Sequence, residues 1–69
     1  MSTLDKRILR DIAVAQTTAD CIAQRLKKPQ SEIDREIQQL LTEEKITPHQ
    51  IAGTLTVYRL THEGRRSLA

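Results

Sequence analysis

An α+β fold, with three helices, a two-stranded hairpin and a short closing helix, is predicted by three features of this 69-residue chain. Apolar residues recur at helical spacing in three successive stretches, as far as about Glu44. Past Ile46 the pattern changes to alternation on either side of a Gly53-Thr54 turn signal. Thr61 then stands where the cap of a last helix belongs.

The first helix is expected to start with Ser2 as its cap and Asp5 three residues later, a capping-box arrangement with Asp in place of Glu. Leu4, Ile8, Leu9 and Ile12 fall on one face, and Lys6, Arg7 and Arg10 form a solvated face opposite. Ala15, Gln16 and Thr17 break the period and leave room for a short extended link. Thr18 caps a second helix whose apolar stripe is Ala19, Ile22, Ala23 and Leu26. Lys27, Lys28 and Pro29 end it, because a residue before proline is pushed out of helical geometry. The third helix runs from near Pro29–Ser31 to about Glu44. It buries Ile33, Ile37, Leu40 and Leu41 and presents Ser31, Arg35, Gln38, Gln39 and Thr42. Leu55 to Leu60 alternates and returns from the turn as the second hairpin strand, and a last helix runs from His62 towards Leu68. The expected core unites Leu4, Ile8, Leu9, Ile12, Ile22, Leu26, Ile33, Ile37, Leu40, Leu41 and Leu60, with the Tyr58 ring turned inward.

Size and composition bound the function. Residues 1–69 are expected to form a single domain, which at this length buries only about 60% of its unfolded surface. A substrate cavity on top of such a core is not expected. With 29% charged and 38% hydrophobic residues, the chain reads as globular rather than disordered. Tyr58 is the only aromatic residue, so there is no set of rings on which unpaired bases would stack. A formal charge of +2 is too small to name a polyanionic partner by itself. Cys21 stands alone, which excludes an internal disulfide and suits a reducing compartment. No apolar run approaches the length of a signal or a membrane span, so a cytoplasmic protein without a membrane partner is expected.

Taken in order, these elements resemble the winged helix-turn-helix domains of small bacterial, archaeal and phage transcription regulators. The resemblance rests on Thr18 to Leu26, on the helix through Ile33, Ile37 and Leu40, and on the exit Glu44-Lys45-Ile46. The run Tyr58-Arg59-Leu60-Thr61-His62-Glu63-Gly64-Arg65-Arg66 also looks like the wing-to-last-helix passage of regulators related to the MarR and PadR groups. It covers nearly the whole chain. In such domains the third helix enters the major groove of double-stranded DNA. By position, that role falls to Gln30, Ser31, Asp34, Arg35 and Gln38. Arg can bond guanine bidentately, Gln adenine, and Ser is a permissive polar contact. Thr18, Lys27, Lys28 and Arg59 would then hold phosphates. Lys28-Pro29-Gln30 with Ile33-Asp34 also resembles the corresponding helix of FeoC, a winged-helix family of bacterial iron transport. That family's wing is rich in cysteine and this hairpin has none, so no iron–sulfur cofactor is expected.

Two features support an alternative. Glu32, Asp34 and Glu36 surround the proposed reading face, and the hairpin tip from Ile51 to Leu55 carries no Lys or Arg. A winged-helix module that docks a protein partner through Ile51 and Leu55, or through Glu32 and Glu36, would have this composition. His49, His62 and Cys21 are scattered over three elements and lack the spacing of a metal site. No nucleophile, base and orienting group form a recognisable set, so no catalysis is expected. The sequence is expected to encode a DNA-binding regulator without cofactor or metal, acting as a homodimer because two copies double the phosphate contacts.

Overall fold

The computed structural model describes residues 3–68. Its elements run α1 (Thr3–Val14), α2 (Ala19–Leu26), α3 (Gln30–Thr42), β1 (Ile46–Ala52), β2 (Leu55–Leu60) and α4 (His62–Leu68). This is a winged helix-turn-helix: α2 and α3 form the helix-turn-helix, and the antiparallel β1–β2 hairpin is the wing. The expected cap Ser2 lies outside the described residues.

Each junction is held by local chemistry. The Thr18 hydroxyl accepts the Cys21 amide at 3.2 Å, capping α2. Lys27 then turns left-handed at φ 55. Its amide donates to the Gln24 carbonyl, and the Lys28 amide donates to that of Ala23 at 3.1 Å. That pair of bonds is a Schellman motif, and it reverses the chain so that Pro29 can open α3. The same device ends α3. Glu44 is left-handed at φ 59, with Glu44 bonded to Leu41 and Lys45 bonded to Leu40. Neither position is the glycine that usually fills it.

The core gathers Ile8, Leu9, Ile12, Ile22, Ala23, Ile33, Ile37, Leu40 and Ile46, with Leu4, Leu26, Leu41, Tyr58 and Leu60 half-buried around them. Leu4, Leu26, Leu41 and Leu60 therefore line the core rather than fill it. Ile46 and Val57, absent from the expected core, are buried. Ile46 pairs with Leu60 where the wing leaves the helices, and Val57 sits in mid-strand. The link after α1 strengthens that strand: Thr17 bridges to Tyr58, whose amide donates to the Thr17 carbonyl at 2.9 Å.

Asp5, whose expected capping partner Ser2 lies outside the described residues, is 7% exposed, and its carboxyl meets that of Glu36 on α3. At the other end, Thr61 caps α4 by accepting the Gly64 amide at 3.1 Å. Gly64 is buried, and a Cβ there would collide with the Lys45 carbonyl oxygen. A glycine thus lets α4 close on the start of the wing.

Candidate nucleic-acid interface

The helical period of α3 divides its residues sharply. Ile33, Ile37 and Leu40 point into the core, while Gln30, Ser31, Asp34, Arg35 and Gln38 are all exposed. Of the candidate readers, none is diverted to packing. A helix about 10–12 Å across matches a major groove about 12 Å wide. Lys27 is exposed and Lys28 half-buried in the turn leading into α3. Among the described residues, Lys27, Lys28 and Arg35 make no salt bridge. Lys27 and Lys28 are thus free to meet an anion, while Arg35 also acts on the neighbouring Glu36 carboxyl.

The candidate readers interact among themselves. The Gln30 side-chain amide donates to Asp34 Oδ1 at 3.0 Å, one helical turn on. Burial pushes the Tyr58 hydroxyl above its ordinary value, and the Asp34 carboxylate adds to the shift. Asp34 therefore acts on both the first turn of α3 and the wing strand. Thr18 lies in a shallow groove between the start of α2 and the wing, lined by Ala19, Asp20, Leu55 and Tyr58. Its hydroxyl oxygen is engaged in the cap, and the Asp20 carboxylate shares the groove.

Other candidates stand elsewhere. Arg59 is exposed, but it lines a cleft with Ile12, Gln16 and Arg65, between α1 and α4. No residue of α2 or α3 lines that cleft. The sequence grouped Arg59 with Lys27 and Lys28, and strand direction alone does not reveal which side of the wing it serves. The acidic flank is also broken up. Glu32 is exposed, whereas Glu36 is half-buried against Asp5. At the wing tip Ile51 and Leu55 are 62% and 48% exposed. Ile51 falls at a register shift between Gln50 and Ala52, a bulge that removes it from regular pairing.

The structure adds a clasp between α1 and α2 that the sequence does not announce. Arg25 of α2 donates to both oxygens of Asp11 on α1, at 2.9 and 2.7 Å, and also to the Thr17 hydroxyl. The clasp ties α2 to α1 and to the link that pairs with the wing. A separation of fourteen residues leaves no local signal for it. Gln30 and Asp34, by contrast, are four apart on a helix, which is a legible pairing distance. The exposed Cys21 thiol is held below its ordinary value, mainly by the Thr18 hydroxyl against the opposing effect of burial, and to a lesser degree by Thr17 and Arg25. Among the described residues no three His, Cys, Asp or Glu side chains gather as a metal-binding group, and no helix is long and apolar enough to cross a membrane.

No protein family matches the sequence, and no curated protein matches it. Solved structures do match. A cysteine-to-serine variant of ZitR from Lactococcus lactis superposes with a TM-score of 0.94 at 18% identity, over 99% of this chain and 48% of that one. Wild-type ZitR solved in complex with DNA gives a TM-score of 0.90, also at 18% identity and with the same coverage. The adhesin competence repressor AdcR from Streptococcus pyogenes gives 0.94 at 16% identity, over 99% of this chain and 52% of its own. At such identities the likeness establishes the fold: the chain is a winged helix-turn-helix. It spans about half the length of the solved structures it matches.

Proposed function

We propose that this chain is a winged-helix DNA-binding transcription regulator, reading the major groove with α3. The observation that carries the reading is the exposed face of α3. Gln30, Ser31, Asp34, Arg35 and Gln38 stand clear of the core, with Lys27 and Lys28 unpaired in the turn before them. Hydrogen-bonding side chains on the face specify bases, and cations beside it hold the backbone. The likeness to ZitR in complex with DNA and to AdcR, a repressor by name, supports the same reading. We treat residues 1–69 as one such domain. Two copies on two-fold-related half-sites would double a small set of phosphate contacts. Arg59 lines a cleft with Arg65 on the α1–α4 side, and in this reading it is left out of the α3 contact surface.

A fluorescence titration of random-sequence duplex DNA at low and at moderate salt tests the proposal. Saturable binding that weakens steeply with salt is expected, because each phosphate contact releases counterions. Absence of binding at low salt would refute it.

A further inference from the structure

We infer that Asp34 is a positioning residue that orients the Gln30 side-chain amide to read an adenine in the major groove. The inference rests on the DNA-reading role of α3. It begins with a puzzle, since a carboxylate on a face that approaches phosphates costs affinity. The Gln30 amide nitrogen lies 3.0 Å from Asp34 Oδ1, and both residues are exposed in the first turns of α3.

An ionised carboxylate only accepts hydrogen bonds. The amide must therefore turn its nitrogen towards Asp34 and its carbonyl oxygen away, which settles an orientation that is otherwise ambiguous for glutamine. The amide has two hydrogens. With the one remote from the carbonyl given to Asp34, one N–H and the carbonyl oxygen remain side by side on the outer edge. That donor–acceptor edge complements adenine, whose major-groove side offers N7 as acceptor and the N6 amino group as donor. Guanine offers two acceptors there and would leave the Gln30 carbonyl oxygen facing another oxygen. A glutamine free in solution samples many rotamers, and fixing it before binding lowers the ordering cost. The carboxylate is explained by the amide it holds.

The test selects sites from a pool of randomised duplex DNA. Matched duplexes that differ at one enriched position are then titrated with wild type, Gln30→Ala, Asp34→Ala and Asp34→Asn, each checked for folding by circular dichroism. Wild type is expected to prefer adenine at one position by roughly tenfold, which is within the range for one bidentate pair. Gln30→Ala and Asp34→Ala should both abolish that preference. Asp34→Asn keeps an oxygen that accepts from Gln30 and should retain the preference. A role through charge alone would instead make Asp34→Asn behave like Asp34→Ala. Adenine preference surviving in Asp34→Ala, lost in Asp34→Asn, or absent from wild type would overturn the inference and leave DNA binding standing. Failure of wild type to bind any duplex would overturn both.

Discussion

The carboxyl of Glu36 on α3 meets that of Asp5 on α1, close enough for a hydrogen bond between the two. Such a bond exists only while one of the pair carries a proton. The bond to Asp5, burial, and the charges of Asp5 and Glu32 push the Glu36 carboxyl up to about 7, against a smaller opposing pull from Arg35. Below its ordinary value of 4.5 the group is protonated whether the chain is folded or not. Between 4.5 and about 7 only the folded form keeps the proton, so stability should fall as pH rises through that window and level off above it. Glu36→Gln supplies a permanent donor to Asp5. Thermal melts from pH 4.5 to 8 should show a flatter profile for the variant and greater stability than wild type at pH 8. Parallel profiles would mean that this pair does not govern the slope.

Gly64→Ala should destabilise the fold. The new methyl group meets the Lys45 carbonyl oxygen, a backbone atom that cannot swing aside as a side chain would. Overpacking of this kind costs about 1–3 kcal/mol. For so small a domain, that corresponds to a melting temperature lower by about 4 °C or more. An unchanged melt would show that α4 does not approach the Lys45 carbonyl this closely.

Glu44→Gly should do the reverse. A left-handed conformation costs an ordinary residue about 1–2 kcal/mol, and glycine adopts it freely. Glycine's greater freedom in the unfolded chain returns roughly 0.4–1 kcal/mol of that gain. A net stabilisation of about 0.5–1 kcal/mol is expected, read as a small rise in the denaturant midpoint at constant slope. A lowered midpoint would contradict the Schellman ending of α3.

Most of the architecture was legible because it rests on local rules. Thr18 and Thr61 cap helices by short-range chemistry, and Ile33, Ile37 and Leu40 announce a buried helical face by spacing alone. What is not legible depends on packing between distant segments. The contact of Asp5 with Glu36 of α3 has no local signal. Val57 is buried in a strand that also bridges to Thr17. The exposed residues of α3 follow from the same period that fixed the core. The side of the wing on which Arg59 stands does not, because it depends on how α1 and α4 pack around the sheet. The Arg25–Asp11 clasp was illegible for the same reason.

Arg35 and Lys28 should fail differently if α3 reads DNA. Arg35→Ala removes a base contact and should weaken a preferred site by about 1–3 kcal/mol while relaxing base preference. Lys28→Ala should weaken all sequences alike and reduce the salt slope by about one. Titrations of preferred and random duplexes at several salt concentrations separate the two. Equal loss of preference from both variants would contradict the division into base and phosphate contacts.

The most direct measurement is a titration of 15N-labelled protein with a short duplex, followed through its amide resonances. The account places DNA against α3 and the turn before it. The largest shifts are therefore expected at Lys27, Lys28, Gln30, Ser31, Asp34, Arg35 and Gln38, with the α1–α4 cleft at Arg59 and Arg65 little changed. Shifts concentrated at Ile51 and Leu55 on the wing tip, or in that cleft, with α3 undisturbed, would contradict it.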